Sequence, residues 1–325
     1  MTGEGLESVA ARLARLLVDG GERLSDGQNS ELCFEPDIEP RPLGAGSPPI
    51  ETWAVDGGQA LVADARCLQV YVTRAAKVCF RDGACVVEEE GQLQAHLLGA
   101  GQGPTTLAEA GLELSGDTPA DVNLLRDWAE WSALAECCDR AAPGALLLVD
   151  GDLVPDWRLP PSVAAEPLEQ AATRGLSVAG VTKHSSLSRG GAPLVGQLEL
   201  EAAEALGPRA RWWAPVARTR QGSLWPDLQV VVAKLDPDAR YAFRIDIPAG
   251  LPAEEVLGTL AWVSDDAAFP GYPYPLSVAD RLAACPGWLR QEAWLVLDQA
   301  LERAGVPGPA RERAFDDRHR LMERA

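Results

Sequence analysis

Long apolar runs are missing from this chain. Its 325 residues include no stretch of about 18 or more apolar residues, which argues against a membrane-spanning helix. Histidine is scarce: His96, His184 and His319 are the only three. None has metal-ligand spacing to another or to a cysteine, so zinc is disfavoured. The seven cysteines, Cys33, Cys67, Cys79, Cys85, Cys137, Cys138 and Cys285, are odd in number and form no Cys-x-x-Cys pair. That argues against a disulfide framework and reads as reduced, mostly buried thiols. Positive charge is also short, with 29 Lys and Arg against 48 Asp and Glu for a net charge of -19. Such a field repels phosphate. Any nucleic-acid role must rest on a local cationic channel, a bound metal, or a partner that delivers the strand. No phosphate loop ending in Gly-Lys-Ser/Thr occurs; Ser188-Arg189-Gly190-Gly191 reads as a turn, so ATP hydrolysis is not expected. Ser185, Ser186 and Ser188 lack a His/Asp partner pattern, which disfavours a serine hydrolase. Residues 1–7 lack the basic region and apolar core of a signal peptide, so a cytoplasmic location is expected.

What is present begins with two hydrophobic runs that each end in Asp-Gly. One is Thr52-Trp53-Ala54-Val55-Asp56-Gly57-Gly58 and the other Ala145-Leu146-Leu147-Leu148-Val149-Asp150-Gly151. Each reads as a buried strand that delivers a carboxylate to its end and then turns on glycine. Buried charges are paired or bound to metal, and oxygen ligands of this kind suit Mg²⁺ or Mn²⁺.

The intervening pattern orders these strands. Leu6, Val9, Leu13, Leu16 and Leu17 recur at helical spacing, so a helix is expected over 5–18. Residues 35–49 are rich in Pro, Gly and acid and read as a loop. From Trp53 to Val87 β-like segments succeed one another, with Asp82-Gly83 as a hairpin turn. A helix is expected from about 119 to 140, another over 161–173, and a strand over 176–181. Further strands are expected at 212–216, 228–233 and 241–247, then helices at about 253–263, 288–304 and 308–323. No internal repeat or flexible linker divides the chain, so one domain over 1–325 is expected, its core at about 50–285 and helical extensions at both ends.

An Asp strand, antiparallel strands, a helix, a second Asp strand and a helix is the order of a ribonuclease H-like α/β fold: a mixed β-sheet core with flanking helices. There, carboxylates converge on two metal ions for in-line phosphodiester displacement. The helix between the strands offers Glu130 or Glu136 as third ligand. They sit six positions apart and face different directions, and Glu130, in Arg126-Asp127-Trp128-Ala129-Glu130, is preferred. Lys183, Arg189, Arg218 and Arg220 form a locally basic stretch, read either as a phosphate-tracking channel or as solvated surface. Arg244 and Asp246 share one strand face and read either as an ion pair or as part of the chemistry. Trp212-Trp213 reads either as a base-stacking pair or as one core tryptophan and its neighbour.

Taken in order, Asp56-Gly57-Gly58, the Arg126/Glu130 helix, Val149-Asp150-Gly151-Asp152-Leu153 and Ala179-Gly180-Val181-Thr182-Lys183 resemble successive motifs of the NurA nucleases. Tyr241-Ala242-Phe243-Arg244-Ile245-Asp246-Ile247-Pro248 and Gly271-Tyr272-Pro273-Tyr274-Pro275-Leu276 resemble its later ones, so the resemblance spans about 50–285. It implies a manganese-dependent DNA nuclease, Mg²⁺ being the other option, that degrades DNA from 5′ ends, cuts single strands and acts in DNA end processing and repair. It further implies a homodimer docked on a hexameric HerA-type ATPase. By position, Asp56, Glu130 and Asp150 become metal ligands and Tyr272 an active-site tyrosine. The sequence departs from the family pattern twice. Gly58 stands where a serine is usual, and Asp280 where a histidine is usual. Aspartate still binds a hard cation but is no neutral imidazole near pH 7. Asp280 is therefore expected as the last metal ligand and catalytic group. That departure also motivates an alternative, a catalytically weak or inactive subunit that docks on and regulates a DNA-translocating ATPase.

Overall fold

The computed structural model describes residues 4–19, 21–27 and 31–316. The expected terminal helix is seen as α9 (Gly308–Phe315); the rest of the expected span, from 317 and including His319, lies outside the described residues.

The chain opens with α1 (Glu4–Asp19), then the short strands β1 (Leu24–Asp26), β2 (Leu32–Phe34) and β3 (Arg41–Pro42). β4 (Glu51–Asp64), β5 (Leu68–Arg81), β6 (Ala84–Glu90) and β7 (Gln94–Gly99) form the meander, followed by α2 (Gly103–Glu109) and α3 (Val122–Arg140). β8 (Leu146–Asp150), α4 (Ser162–Thr173) and β9 (Ser177–Thr182) come next, then β10 (Leu187–Arg189), β11 (Ala192–Pro193) and α5 (Leu194–Leu206). β12 (Trp212–Thr219), β13 (Leu228–Lys234) and β14 (Phe243–Pro248) precede α6 (Ala253–Trp262), α7 (Tyr274–Ala283), α8 (Gly287–Arg303) and α9.

Eleven strands make one mixed sheet in the order β2-β12-β13-β14-β9-β8-β4-β5-β6, with β3 beside β12 and β7 beside β5. β4, β8 and β9 run parallel; the remaining pairs are antiparallel. β1, β10 and β11 form a separate small sheet. Strand alternation sends successive side chains to opposite faces. Trp53, Val55, Leu147 and Val149 therefore pack under α3 and α4 with Leu124, Leu125 and Leu134. Ala54, Leu146 and Leu148 pack on the other face under α6 and α7, with Leu257, Leu260 and Leu276. At the β12 edge, Leu194, Leu198 and Ala202 of α5 cover Trp212, Val216 and Val232. This is the ribonuclease H-like arrangement expected from the element order.

The structure corrects several expectations. β4 does not turn at Gly57 but continues to Asp64, paired with β5 throughout, so Asp56 lies within a strand rather than at its end. β8 does end at Asp150, and Gly151 takes φ +128 there, a conformation glycine adopts without penalty. The Asp82-Gly83 turn has both residues at positive φ, 51° and 76°, as a two-residue hairpin requires. α2, α5 and α7 are additions to the expected elements, as are the strands β1, β2, β7, β10 and β11, and β3 lies within the stretch expected as a loop. α7 begins at a Pro-Tyr-Pro run that looks like a breaker, yet Pro273 caps it and Pro275 sits in its first turn, where proline removes no helical hydrogen bond. No described helix is long and apolar enough to cross a membrane.

Candidate metal centre

Val55 of β4 pairs with Val149 of β8. One residue further on, Asp56 and Asp150 leave the same face of the sheet, the face covered by α6 and α7. α7 brings Asp280 to them. Asp56, Asp150 and Asp280 each offer one carboxylate oxygen, and these three oxygens lie within 4.8 Å of one another. Asp56 is buried, Asp150 half-buried and Asp280 exposed.

Lys183 directly succeeds β9, the next strand over, and its ammonium enters this group. Nζ donates to Asp150 Oδ2 at 2.8 Å and to Asp280 Oδ1 at 3.0 Å. It also lies 5.2 Å from the centroid of the Tyr272 ring. The Tyr272 hydroxyl donates to Asp150 Oδ1 at 3.2 Å, so both oxygens of Asp150 are engaged. This crowding sets the electrostatics. Burial, then repulsion from Asp150, pushes the Asp56 carboxyl up to about 8, against the pull of Lys183. Burial and the adjacent Asp150 raise the Tyr272 phenol well above its usual range, which fixes it as a hydrogen-bond donor. Burial disfavours the Lys183 charge, but its bonds to Asp150 and Asp280 outweigh that and raise its pKa. Three hard oxygen donors forced together, one of them pushed toward protonation by burial and its acidic neighbour, fit a divalent cation of the Mg²⁺ or Mn²⁺ type.

Glu130 reaches the same region from the other side. It projects from α3, on the opposite face of the sheet, and lies across Gly57. A Cβ built on Gly57 would stand 2.2 Å from Glu130 Oε1. Burial drives its carboxyl well above the ordinary range; Asp127, Asp56 and Asp150 add to that, while Arg126 opposes it. Arg126 Nε stands 3.4 Å away. Glu130 is thus an electrostatic neighbour of both aspartates, but it is outside the group of oxygens that Asp280 completes. Glu136 points elsewhere, ion-paired with Lys77 and well exposed.

The structure does not bring the four basic residues together. Only Lys183 is at the carboxylates. Arg189 lies in the small sheet and pairs with Glu201 of α5. Arg218 sits on β12, four strands from β8 or roughly 19 Å at ordinary strand spacing, and pairs with Glu35 at 3.0 Å. Arg220 comes just after β12, its N–H donating to the carbonyl of Glu31. β12 runs antiparallel to β9 through β13 and β14, so its last residues point to the end of the sheet away from Asp150. Proximity in sequence misleads here because α5 and a chain reversal intervene. Trp212 is core and Trp213 stacks against Arg41, so neither joins the site. Arg244 and Asp246 form a buried ion pair, with Arg244 also reaching Asp26 at 2.9 Å.

Two features of the site have no signal in the sequence. A cleft of about 920 Å³ opens beside the centre, lined by Lys183, Tyr272 and Asp280 together with Tyr241, Phe243 and Phe269. Arg74 of β5 donates to the carbonyls of Ala283, at 3.1 Å, and Ala284, fixing the end of the helix that carries Asp280. Both join segments far apart in the chain, and no local pattern marks them.

The fold and the carboxylate cluster define a ribonuclease H-like protein with a candidate metal centre. No protein-family profile and no curated protein matches the sequence. Among solved structures, the chain is similar to the NurA nuclease from Sulfolobus solfataricus at 14% identity and a TM-score of 0.56, over 94% of this chain and 98% of that one. A second NurA structure matches at 8% identity and a TM-score of 0.51, over 97% and 100%. The resemblance read from the motifs is borne out by this likeness of fold across nearly the whole chain.

Proposed function

We propose that this protein is a NurA-type, metal-dependent DNA nuclease formed as one domain over residues 1–325. The observation that carries the reading is the convergence of Asp56, Asp150 and Asp280, from two neighbouring strands and a helix, on one point of a ribonuclease H-like sheet. Asp56, Asp150 and Asp280 would hold Mn²⁺ or Mg²⁺, with Glu130 completing the acidic surroundings from the far face. A cation bound there supplies a polarised phosphate and a water of lowered pKa. Lys183, bonded to Asp150 and Asp280, would meet a phosphate oxygen of the strand. Tyr272 holds Asp150 in orientation and stays protonated. Arg189, Arg218 and Arg220 would touch DNA only outside the centre.

The finer reading rests on the resemblance: 5′ end resection and single-strand cutting by a homodimer docked on a hexameric HerA-type ATPase, in cytoplasmic repair of DNA ends. The clustered carboxylates favour an enzyme over a docking subunit, because a purely structural role gives no reason to gather three aspartates. The test is digestion of end-labelled single- and double-stranded DNA with Mn²⁺, with and without the ATPase. Wild type should cut. Folded Asp56→Ala and Asp150→Ala proteins should lose more than about 100-fold, since a metal's charge stabilisation is worth several kcal/mol. Undiminished cutting by Asp150→Ala would overturn the assignment.

A further inference from the structure

We propose that the cleft beside the carboxylates receives an unstacked base of a single strand, with Phe269 and Tyr241 as its stacking platforms. This rests on the nuclease reading and names the form of substrate the centre takes. The cleft shares Lys183, Tyr272 and Asp280 with the carboxylate group, so a phosphate held there puts its neighbouring nucleoside at the cleft mouth. Lys183 is the one lysine or arginine among the described lining residues, while Glu199, Asp266 and Asp280 also line it. Phosphate is thus disfavoured away from Lys183. Aromatic surface is offered instead: Phe269 is 48% and Tyr241 46% exposed, large apolar side chains that the fold leaves uncovered.

These platforms are held in place. The Phe269 ring lies edge-on to Tyr272, with centroids 6.1 Å apart, and the Phe269 N–H donates to the carbonyl of Asp266. Gly271, at φ +90, packs its loop so closely on Ala239 that a Cβ would stand 2.4 Å from that methyl group. Arg240 lies over the Tyr241 ring at 5.2 Å. A protein of net charge -19 gains little from the phosphate backbone, and stacking on aromatic rings is the sequence-tolerant source of affinity that remains. Bases inside a duplex cannot reach such a platform without unpairing, so the cleft selects single-stranded ends.

The experiment titrates the full-length protein, in EDTA at low salt, against a single-stranded oligonucleotide carrying 2-aminopurine and against the same strand with abasic sites. Wild type should quench the fluorescence and bind the base-bearing strand on the order of tenfold more tightly than the abasic one. Phe269→Ala and Tyr241→Ala should each remove most of that difference, and Phe269→Trp should restore it. Equal binding of the two strands by wild type, or unchanged binding by both alanine variants, would overturn the proposal. Failure of the nuclease reading is read separately. Base-dependent quenching by a wild type that cuts no DNA with Mn²⁺ would leave the cleft standing and remove the chemistry.

Discussion

Gly58 lies directly beneath the end of α7: a Cβ added to it would stand 1.8 Å from the carbonyl oxygen of Ala283. Arg74 binds that same carbonyl from β5, so the helix end cannot retreat without losing its clamp. The residue that the family pattern would place here, serine, does not fit this packing. Gly58→Ser should cost about 1–3 kcal/mol by overpacking and should displace Asp280 with the helix. Chemical denaturation measures the first. Metal affinity, reduced more than the stability loss explains, measures the second. A Gly58→Ser protein as stable as wild type would show that α7 sits less closely on β4.

Arg244 holds a buried cluster of acids together. It is 1% exposed and meets Asp246 at 2.8 Å and Asp26 at 2.9 Å, both of whose side chains are fully buried. Removing its charge strands them. Arg244→Met should destabilise the protein by about 3–5 kcal/mol, seen as a lowered denaturation midpoint at unchanged slope. A loss below about 1 kcal/mol would mean that water or protonation relieves the acids.

The strands and their carboxylates are legible in the sequence because strand signals are local: an apolar run and a closing Asp-Gly. The path of the chain beyond Asp56 is not. Glycine there reads as a turn, whereas Gly57 is required by Glu130 crossing above it and Gly58 by α7 pressing from the other face. Both demands come from elements distant in sequence. α7 is hidden by its prolines, which start the helix rather than break it. The basic stretch is dispersed for a complementary reason. Four cations close in sequence are separated by the fold, and the two arginines on strands, Arg189 and Arg218, are matched with glutamates. Lys183 alone reaches the carboxylates, because it directly succeeds a strand adjacent to that of Asp150.

The metal-free protein should lose stability as pH rises. Asp56 titrates near 8 in the folded state, far above the ordinary aspartate value of about 3.9. Asp152, raised by burial and by Asp246 to about 7, and Asp127, raised by burial to about 6, act in the same direction. A raised folded pKa contributes stability that is fully present below the unfolded value and lost as pH climbs through the folded one. In EDTA, the melting temperature should therefore fall between about pH 4 and pH 8. If Asp56 is a ligand as proposed, Mn²⁺ would compete with its proton, so the stabilising shift should grow over the upper part of this window and level off above about pH 8. Calorimetry with and without Mn²⁺ from about pH 5 to 9 reads both. A metal-induced shift independent of pH would remove Asp56 from the ligand set.

In the proposed metal centre, Lys183 and a divalent cation would compete for the same oxygens. Its ammonium occupies Asp150 Oδ2 and Asp280 Oδ1, the latter supplied by an aspartate where histidine is usual in the family it resembles. An imidazole would not attract the ammonium as a carboxylate does. Replacing the charge by an isosteric chain separates two effects. Lys183→Met should lower the metal-free melting temperature, because Asp150 and Asp280 then face each other without their shared counterion. It should tighten Mn²⁺ binding severalfold, because no ammonium has to be displaced. It should also slow DNA cutting, because a phosphate loses its fixed positive partner. Tighter metal binding with weaker catalysis is an unusual pair, and loss of fold alone would produce neither the first nor the combination. Titration calorimetry with Mn²⁺ and single-turnover cleavage supply the two numbers. If Lys183→Met binds Mn²⁺ more weakly than wild type, the lysine supports the metal site instead of opposing it, and the competition drawn from its two carboxylate bonds is wrong.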